Sequence, residues 1–146
     1  MTEAGELAAL LGVKSTRKSG GFTTLDLAAA VSRGLRVEAM DRLCTLLAPG
    51  DAALRHRIVP KATLARRQRS ANRRLSAAES DKLVRLARLW TFAIDVWGSP
   101  VAAQRFLAEP HMLLGGRIPR EMATETEVGA RAVEALLGRL KYGSAA

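Results

Sequence analysis

The chain has 146 residues, of which 48% are hydrophobic and 25% charged, so its composition excludes a disordered protein and allows one domain or two small ones. Its one cysteine, Cys44, excludes an internal disulfide framework and a cysteine-based zinc site. No stretch has the ~20 consecutive apolar residues of a membrane span and no signal-peptide pattern is present, so we expect a soluble, cytoplasmic protein.

The first third of the chain predicts an arm followed by two helices. Residues 1–22 contain four glycines and are expected to form a flexible arm, with room for a short helix around Leu7–Leu11. Thr23 or Thr24 is expected to cap the first helix, which Gly34 ends. The second helix is predicted by apolar residues at i, i+3 and i+4 spacing, and a cysteine on this face is core filler rather than a nucleophile. These residues are Val37, Met40, Leu43, Cys44 and Leu47.

Two short helices joined by a tight turn follow. Asp51 is expected to cap the first of them, which runs to Ile58. Pro60 then separates it from a second, arginine-rich helix over Ala62–Gln68. A short helix, a turn and a basic helix form the outline of a DNA-binding helix-turn-helix.

Positive charge is concentrated on this part of the chain. The net charge is +9, and the segment 52–78 alone has eight basic residues and no acidic one. Such a field favours binding to a polyanion, with a solvated linker between domains as the alternative. In the DNA-binding interpretation, Lys61, Thr63, Arg66 and Arg67 lie at the major groove, Arg69, Arg73 and Arg74 contact phosphates, and Arg55 and Arg57 complete the basic set.

The most clearly marked helix begins after residue 75. Ser76 and Glu79 have the Ser-x-x-Glu spacing of a capping box, and Gly98 is placed to end the helix. An apolar stripe runs along it from Leu83 to Trp97. We expect this stripe to form the core of the C-terminal half. The alternative is that part of it forms a homodimer face, because tryptophans are frequent interface anchors.

The remaining chain predicts two main helices around a loop. Pro100 stands at the favoured first position of one helix, residues 110–119 form the loop, and the last helix begins near Thr124–Thr126. Gly138 indicates either a close approach of another backbone or an early end that releases residues 139–146 as a tail. Because no segment alternates with period two, the chain is predicted to be all-α.

The sequence has no pattern of catalytic or metal-binding residues. The two histidines, His56 and His111, have no Asp, Glu or Cys partner at metal-ligand spacing. No phosphate-binding glycine loop and no Ser/His/Asp signature occurs. We therefore predict that the protein is not an enzyme and needs neither a cofactor nor a metal.

Four motifs in the second half are similar to those of a known family. They are Ser76-Ala-Ala-Glu79-Ser80-Asp81, Trp97-Gly98-Ser-Pro100, Gly115-Gly116-Arg117-Ile-Pro119 and the stretch from Gly129 to Gly143. In this order and spacing they resemble antitoxins of the Xre/MbcA/ParS type over residues 75–143. Residues 23–74 are similar to the Xre-like helix-turn-helix region of that family.

The resemblance implies a partner, a RES-domain toxin that degrades NAD or transfers its ADP-ribose. It implies that an Xre-like helix-turn-helix subdomain (23–74) represses the shared operon by binding operator DNA. A small helical toxin-binding subdomain (75–146) would cover the toxin's NAD pocket with its C-terminal tail, within a hetero-oligomeric complex that contains an antitoxin homodimer. Carried onto this sequence, the toxin-binding residues are Arg131, Glu134, Arg139, Lys141, Tyr142 and Gly143.

Two other functions are compatible with the residue patterns alone. A stand-alone dimeric helix-turn-helix regulator would bind an operator without any toxin, and its C-terminal half would only dimerise. A basic helical scaffold would do neither. The C-terminal motifs favour the antitoxin over both, whereas the charge distribution does not separate the antitoxin from the regulator.

Overall fold

The computed structural model describes residues 2–14 and 20–143, and it confirms the all-α prediction for them. These ranges contain two isolated bridges, between Arg36 and Arg74 and between His111 and Arg117, and no strand. A 3₁₀ turn lies at Met112–Leu114. The helices are α1 (Glu3–Leu11), α2 (Thr24–Arg33), α3 (Val37–Leu47), α4 (Ala53–Ile58), α5 (Lys61–Arg69), α6 (Ala77–Trp97), α7 (Pro100–Ala108), α8 (Pro119–Glu125) and α9 (Glu127–Tyr142).

The ends of α2 and α6 that were predicted from capping residues are confirmed. Thr23 opens α2 and Ser76 opens α6, each with a capping box, to Asp26 and Glu79 respectively. Gly98 has the left-handed conformation, φ 71°, that ends α6. Sequence alone locates these ends because contacts within a few residues determine them.

Within the arm predicted for residues 1–22, the short helix expected around Leu7–Leu11 is present and is longer than expected, because α1 begins at Glu3. There α1 buries Leu7 and Leu11 in the core and contacts α2, α3 and α6. Gly12, one of the glycines that suggested flexibility, ends this helix with φ 68°. Apolar burial against distant helices outweighs the local preference for disorder. Residues 15–19 of the predicted arm lie outside the described residues.

One hydrophobic core joins the N-terminal and C-terminal helices, and α6 runs through it. Leu83, Leu86 and Ala87 of α6 are fully buried, and the helix contacts α1 to α4 and α7 to α9. The predicted core stripe is therefore confirmed at these positions, although its last residue, Trp97, is 42% exposed. The subdomain boundary predicted between residues 74 and 75 does not mark a break in this core, and it stays a prediction.

The last helix, α9, lies parallel to α6. Arg88 pairs with Glu134, and further along both helices Asp95 pairs with Lys141. Because the pairs follow the same order in both helices, the C-terminal ends of α6 and α9 lie at one end of the molecule. At 1.5 Å per residue, the 21 residues of α6 place this end about 30 Å from the start of the helix.

Gly138 has neither of its predicted roles. Helix α9 continues past it to Tyr142, and a Cβ at Gly138 would meet only Phe92 among the described residues, at an ordinary 3.9 Å. The close approach occurs at Gly129 instead, where a Cβ would overlap the carbonyl oxygen of Met122. The start of α9 thus packs tightly against α8.

Candidate functional site

Helices α4 and α5 form the short helix, turn and basic helix that the sequence predicts. Val59 is fully buried, so it anchors the turn between them. In α5 the buried residue is Leu64, and the helix therefore leaves most of its surface to solvent. The cap predicted at Asp51 is wrong by one residue, because Ala52 precedes α4 and makes no side-chain cap. The carboxylate of Asp51 accepts a 2.9 Å hydrogen bond from the backbone N–H of Ala53.

The outer face of α5 carries basic side chains around a strip of small residues. Lys61, Arg66 and Arg69 are exposed, and none has an ion-pair or hydrogen-bond partner among the described residues. Ala62 and Ala65 lie on the same face and are exposed. Their small side chains let the helix backbone approach a nucleic acid closely, while the longer cationic side chains reach phosphates or base edges.

Four other predicted DNA-binding arginines have acidic partners on neighbouring elements. Each pair fixes a guanidinium against the body of the protein, which leaves it less available to DNA than the side chains on the outer face of α5. The pairs are Arg55–Asp41 at 2.9 Å, Arg57–Glu121 at 2.7 Å, Arg67–Glu79 at 3.3 Å and Arg73–Glu38 at 2.8 Å. Arg74 donates to the carbonyl oxygen of Gly34, and Thr63 is half-buried.

An ion-pair network joins the middle of α6 to α9. Arg88 donates to Glu134 at 2.6 Å and to Glu127 at 2.9 Å, and Arg131 donates to Glu127 at 3.1 Å. Partial burial raises the pKa of Glu127, but the hydrogen bonds from Arg88 and Arg131 outweigh it, so the pKa is lowered overall. Two predicted toxin-binding residues, Arg131 and Glu134, therefore belong to this network.

The predicted C-terminal tail is helical as far as Tyr142. Lys141 pairs with Asp95 of α6, and this hydrogen bond raises the pKa of the lysine. Arg139 is exposed without a partner among the described residues, and Tyr142 is also exposed. Gly143 ends the helix with φ 67°. A free tail from residue 139 is thus wrong, and residues 144–146 of the prediction lie outside the described residues.

A groove brings together four of the six predicted toxin-binding residues. It has a volume of about 880 Å³ and runs between α1, α2, α6 and α9. Glu3 and Glu6 of α1 form part of its wall, so the segment predicted to be a flexible arm shapes this site. The four residues are Arg131, Glu134, Lys141 and Tyr142.

Both halves of the chain match models of known protein families. Residues 26–88 match the family model of the antitoxin Xre-like helix-turn-helix domain, and residues 92–143 match that of the antitoxin Xre/MbcA/ParS C-terminal toxin-binding domain. The chain is also 31% identical to "Antitoxin Xre" of Yersinia enterocolitica over 116 residues, which are 78% of this chain and 77% of that protein. The chain belongs to the Xre/MbcA/ParS antitoxin family. The two matches meet within α6, the helix that both halves of the antitoxin share.

The antitoxin exposes an apolar surface that sequence reasoning missed. We call it the end surface: Trp97, Val101, Met112 and Leu113, which are 42%, 67%, 89% and 61% exposed. Phe106 links two of the segments that carry them, because its ring lies 5.7 Å from that of Trp97 and 5.8 Å from that of His111, the residue before Met112. Val101 follows in the first turn of α7. The signal was present in the apolar residues beside Gly98 and Pro110, but the sequence does not say which of them the core leaves uncovered.

Two structural features bear on other classes of function. Among the described residues of the antitoxin, no helix is both long and apolar enough to cross a membrane. In the same residues, no three His, Cys, Asp or Glu side chains lie close enough together to hold a metal ion.

Proposed function

We propose that the antitoxin inhibits a RES-domain toxin by covering the toxin's NAD pocket, and that it represses its own operon by binding DNA through α5. The observation that carries the toxin half is the end surface, an apolar patch exposed inside the matched toxin-binding domain. Its role is that of a regulator rather than an enzyme, and both of its partners are cytoplasmic.

The end surface has the chemistry of a protein interface. Met112, Val101 and Leu113 are apolar and more than half exposed, and Trp97 is 42% exposed. Contiguous apolar patches on soluble proteins mark binding sites, and aromatic residues carry much of the binding free energy there. The parallel arrangement of α6 and α9 brings Arg139 and Tyr142 to this same end of the molecule.

The last turn of α9 is suited to entering a pocket. Lys141 holds it against Asp95, so Tyr142 is presented from a helix that is already ordered. A preordered element loses less conformational entropy on binding than a free tail. Arg139 then supplies a cation for acidic or polar groups of the toxin. This helical end, rather than a long flexible segment, is the proposed blocking element.

The DNA half of the proposal is supported by the outer face of α5. Its unpaired cations are those that contribute most to phosphate contacts, and phosphate contacts make binding strongly dependent on salt. A homodimer would place two copies of α5 on the two halves of a palindromic operator. The matched helix-turn-helix domain includes this helix.

The test is a titration of purified antitoxin into the NAD-consuming reaction of the RES-domain protein encoded beside it. We expect stoichiometric inhibition by the wild type. Met112→Asp and Val101→Asp place a charge in the end surface, and each is expected to weaken inhibition by about 2 kcal/mol, roughly 30-fold.

Val128→Asp is the matched control for this titration. Val128 is 79% exposed, but it lies in the first turn of α9, at the opposite end from Tyr142. The Val128→Asp variant should inhibit the toxin as strongly as the wild type does. Equal inhibition by all four proteins would reject the end surface as the toxin contact, and no inhibition by the wild type would reject the antitoxin–RES pairing itself.

A further inference from the structure

A cleft lined by four arginines lies beside α5. It has a volume of about 360 Å³, and none of its lining residues is acidic. Arg33 comes from the last turn of α2, Arg66 and Arg67 from α5, and Arg74 from the segment before α6. The remaining lining residues are Ser70, Asn72 and Leu75.

The hydrogen-bond donors of these arginines are only partly satisfied within the protein. Arg67 donates through Nη2 to Glu79, but its Nε is buried without a hydrogen-bond partner among the described residues. Arg33 and Arg66 are exposed, and neither has a partner in the described part of the chain. Clustered like charges repel each other, so the cleft favours an anion.

The backbone around the cleft is held in place by specific contacts. Gly34, with φ 92°, lies so close to Leu75 that a Cβ would overlap the carbonyl oxygen of that residue. Arg73 adopts a strained φ of 50° and is held by hydrogen bonds to Glu38 and to the carbonyl oxygen of Gln68. Strained backbone persists where the surrounding structure enforces it, often at binding sites. The four arginines are thus presented on a fixed frame.

We propose that this cleft binds a phosphate group, with Arg33 and Arg66 as its open ligands. The planar guanidinium matches phosphate oxygens through paired N–H donors, which a lysine does not do. Arg66 also belongs to the outer face of α5, which is proposed to enter the major groove of DNA. A phosphate of the DNA backbone beside that groove is therefore the ligand that we propose for the cleft. Binding of a DNA phosphate rests on the proposed DNA binding, and free phosphate is the other ligand with the same chemistry. Through Arg33, the cleft adds α2 to the DNA contact, which the sequence did not predict.

The test uses three variants of the full chain: Arg33→Gln, Arg66→Gln and, as a matched control, Arg105→Gln. Arg105 is exposed on α7, outside the cleft, and has no partner among the described residues. The first measurement is the thermal unfolding midpoint with increasing inorganic phosphate at constant ionic strength. The second is the salt dependence of binding to duplex DNA of random sequence.

We expect phosphate to raise the unfolding midpoint of the wild type and of Arg105→Gln, and to raise it much less in the two cleft variants. On DNA, each cleft variant should lower the slope of log K against log salt by about 0.9, the value for one lost phosphate contact. If phosphate protection depends on the cleft but the DNA slope does not, the site takes free phosphate. If the wild type does not bind DNA at all but keeps the protection, the proposed DNA binding fails and the cleft stands. Equal phosphate protection in all four proteins overturns the inference.

Discussion

Ser80 is a buried polar side chain that satisfies a backbone hydrogen-bond donor within the core. It is fully buried at the start of α6, and its hydroxyl accepts a 2.8 Å hydrogen bond from the backbone N–H of Leu35, between α2 and α3. The bond joins segments 45 residues apart. The sequence placed Ser80 in a family motif without a structural reason, because its partner is distant along the chain.

Replacing this serine therefore tests how the two halves are joined. Ser80→Ala leaves the N–H of Leu35 buried and unsatisfied, so we expect the free energy of unfolding to fall by about 1–3 kcal/mol. Urea unfolding followed by circular dichroism measures this loss. Ser32→Ala, at an exposed position of α2, is the control and should change it by less than about 0.5 kcal/mol. Equal stability of the two variants would contradict the role given to this hydrogen bond.

The buried position of Cys44 could be predicted from the local sequence pattern alone. It is fully buried on the apolar face of α3, as predicted, and burial raises the pKa of its thiol to about 11. At physiological pH the thiol is protonated and weakly nucleophilic. Periodicity identified its position because the other apolar residues of the same face lie within one helix.

Tyr142 and Arg139 are the residues by which α9 is proposed to block the toxin. Because they are exposed in the free antitoxin, Tyr142→Ala and Arg139→Ala should leave the unfolding midpoint unchanged. Each is expected to weaken inhibition of the toxin by about 2 kcal/mol. Leu25→Ala, an exposed apolar position on α2, is the control and should inhibit like the wild type. Full inhibition by both α9 variants would place the blocking element elsewhere.

At the scale of elements, capping and periodicity predicted α2, α3 and α6 well, whereas α1 was expected only as a short helix around Leu7–Leu11 within a flexible arm. The difference is that α2 and α6 begin at full capping boxes, whereas α1 has a single side-chain cap at Thr2 and buries Leu7 and Leu11 against distant helices. A contact between residues distant in sequence also explains why the end of α9 is helical. The ion pair of Lys141 with Asp95 holds it across 46 positions of sequence, which no local pattern indicates.

Asp51 links α4 to α8, and this link should appear in the pH dependence of stability. A hydrogen bond from the backbone N–H of Ala53 lowers the pKa of Asp51, and Arg120 of α8 lowers it further. A carboxyl whose pKa is lowered on folding stabilises the protein above its unfolded pKa, and this stabilisation is lost as the pH falls through the folded pKa.

We therefore expect Asp51→Asn to reduce stability at pH 7 and to change it less near pH 3, which is below the ordinary pKa of an aspartate, so that part of this stabilisation is lost. The measurement is the urea midpoint at the two pH values. Glu109→Gln, an exposed carboxyl without a partner among the described residues, is the control and should follow the wild type. A constant difference between wild type and Asp51→Asn at both pH values would contradict the assignment.

At the scale of the whole molecule, α6 separates the two proposed binding surfaces. Its first turn lies beside α5, since Glu79 pairs with Arg67, and its last turn carries Trp97 of the end surface. The basic charge lies near one end, and the apolar surface and blocking helix lie at the other. The charge distribution of the sequence predicted the basic region, and the family motifs predicted the toxin-binding region. Their separation of about 30 Å follows only from the packed structure.

The most direct test of this arrangement is whether one antitoxin binds toxin and DNA together. The measurement is the mass of the purified toxin–antitoxin complex, by mass photometry, with and without duplex DNA from the antitoxin's own promoter. Surfaces at opposite ends of α6 predict a species that contains toxin, antitoxin and DNA, and loss of the DNA alone when Arg66 and Arg69 are replaced by Gln. Release of the toxin when DNA binds would show that the surfaces overlap and would contradict the account.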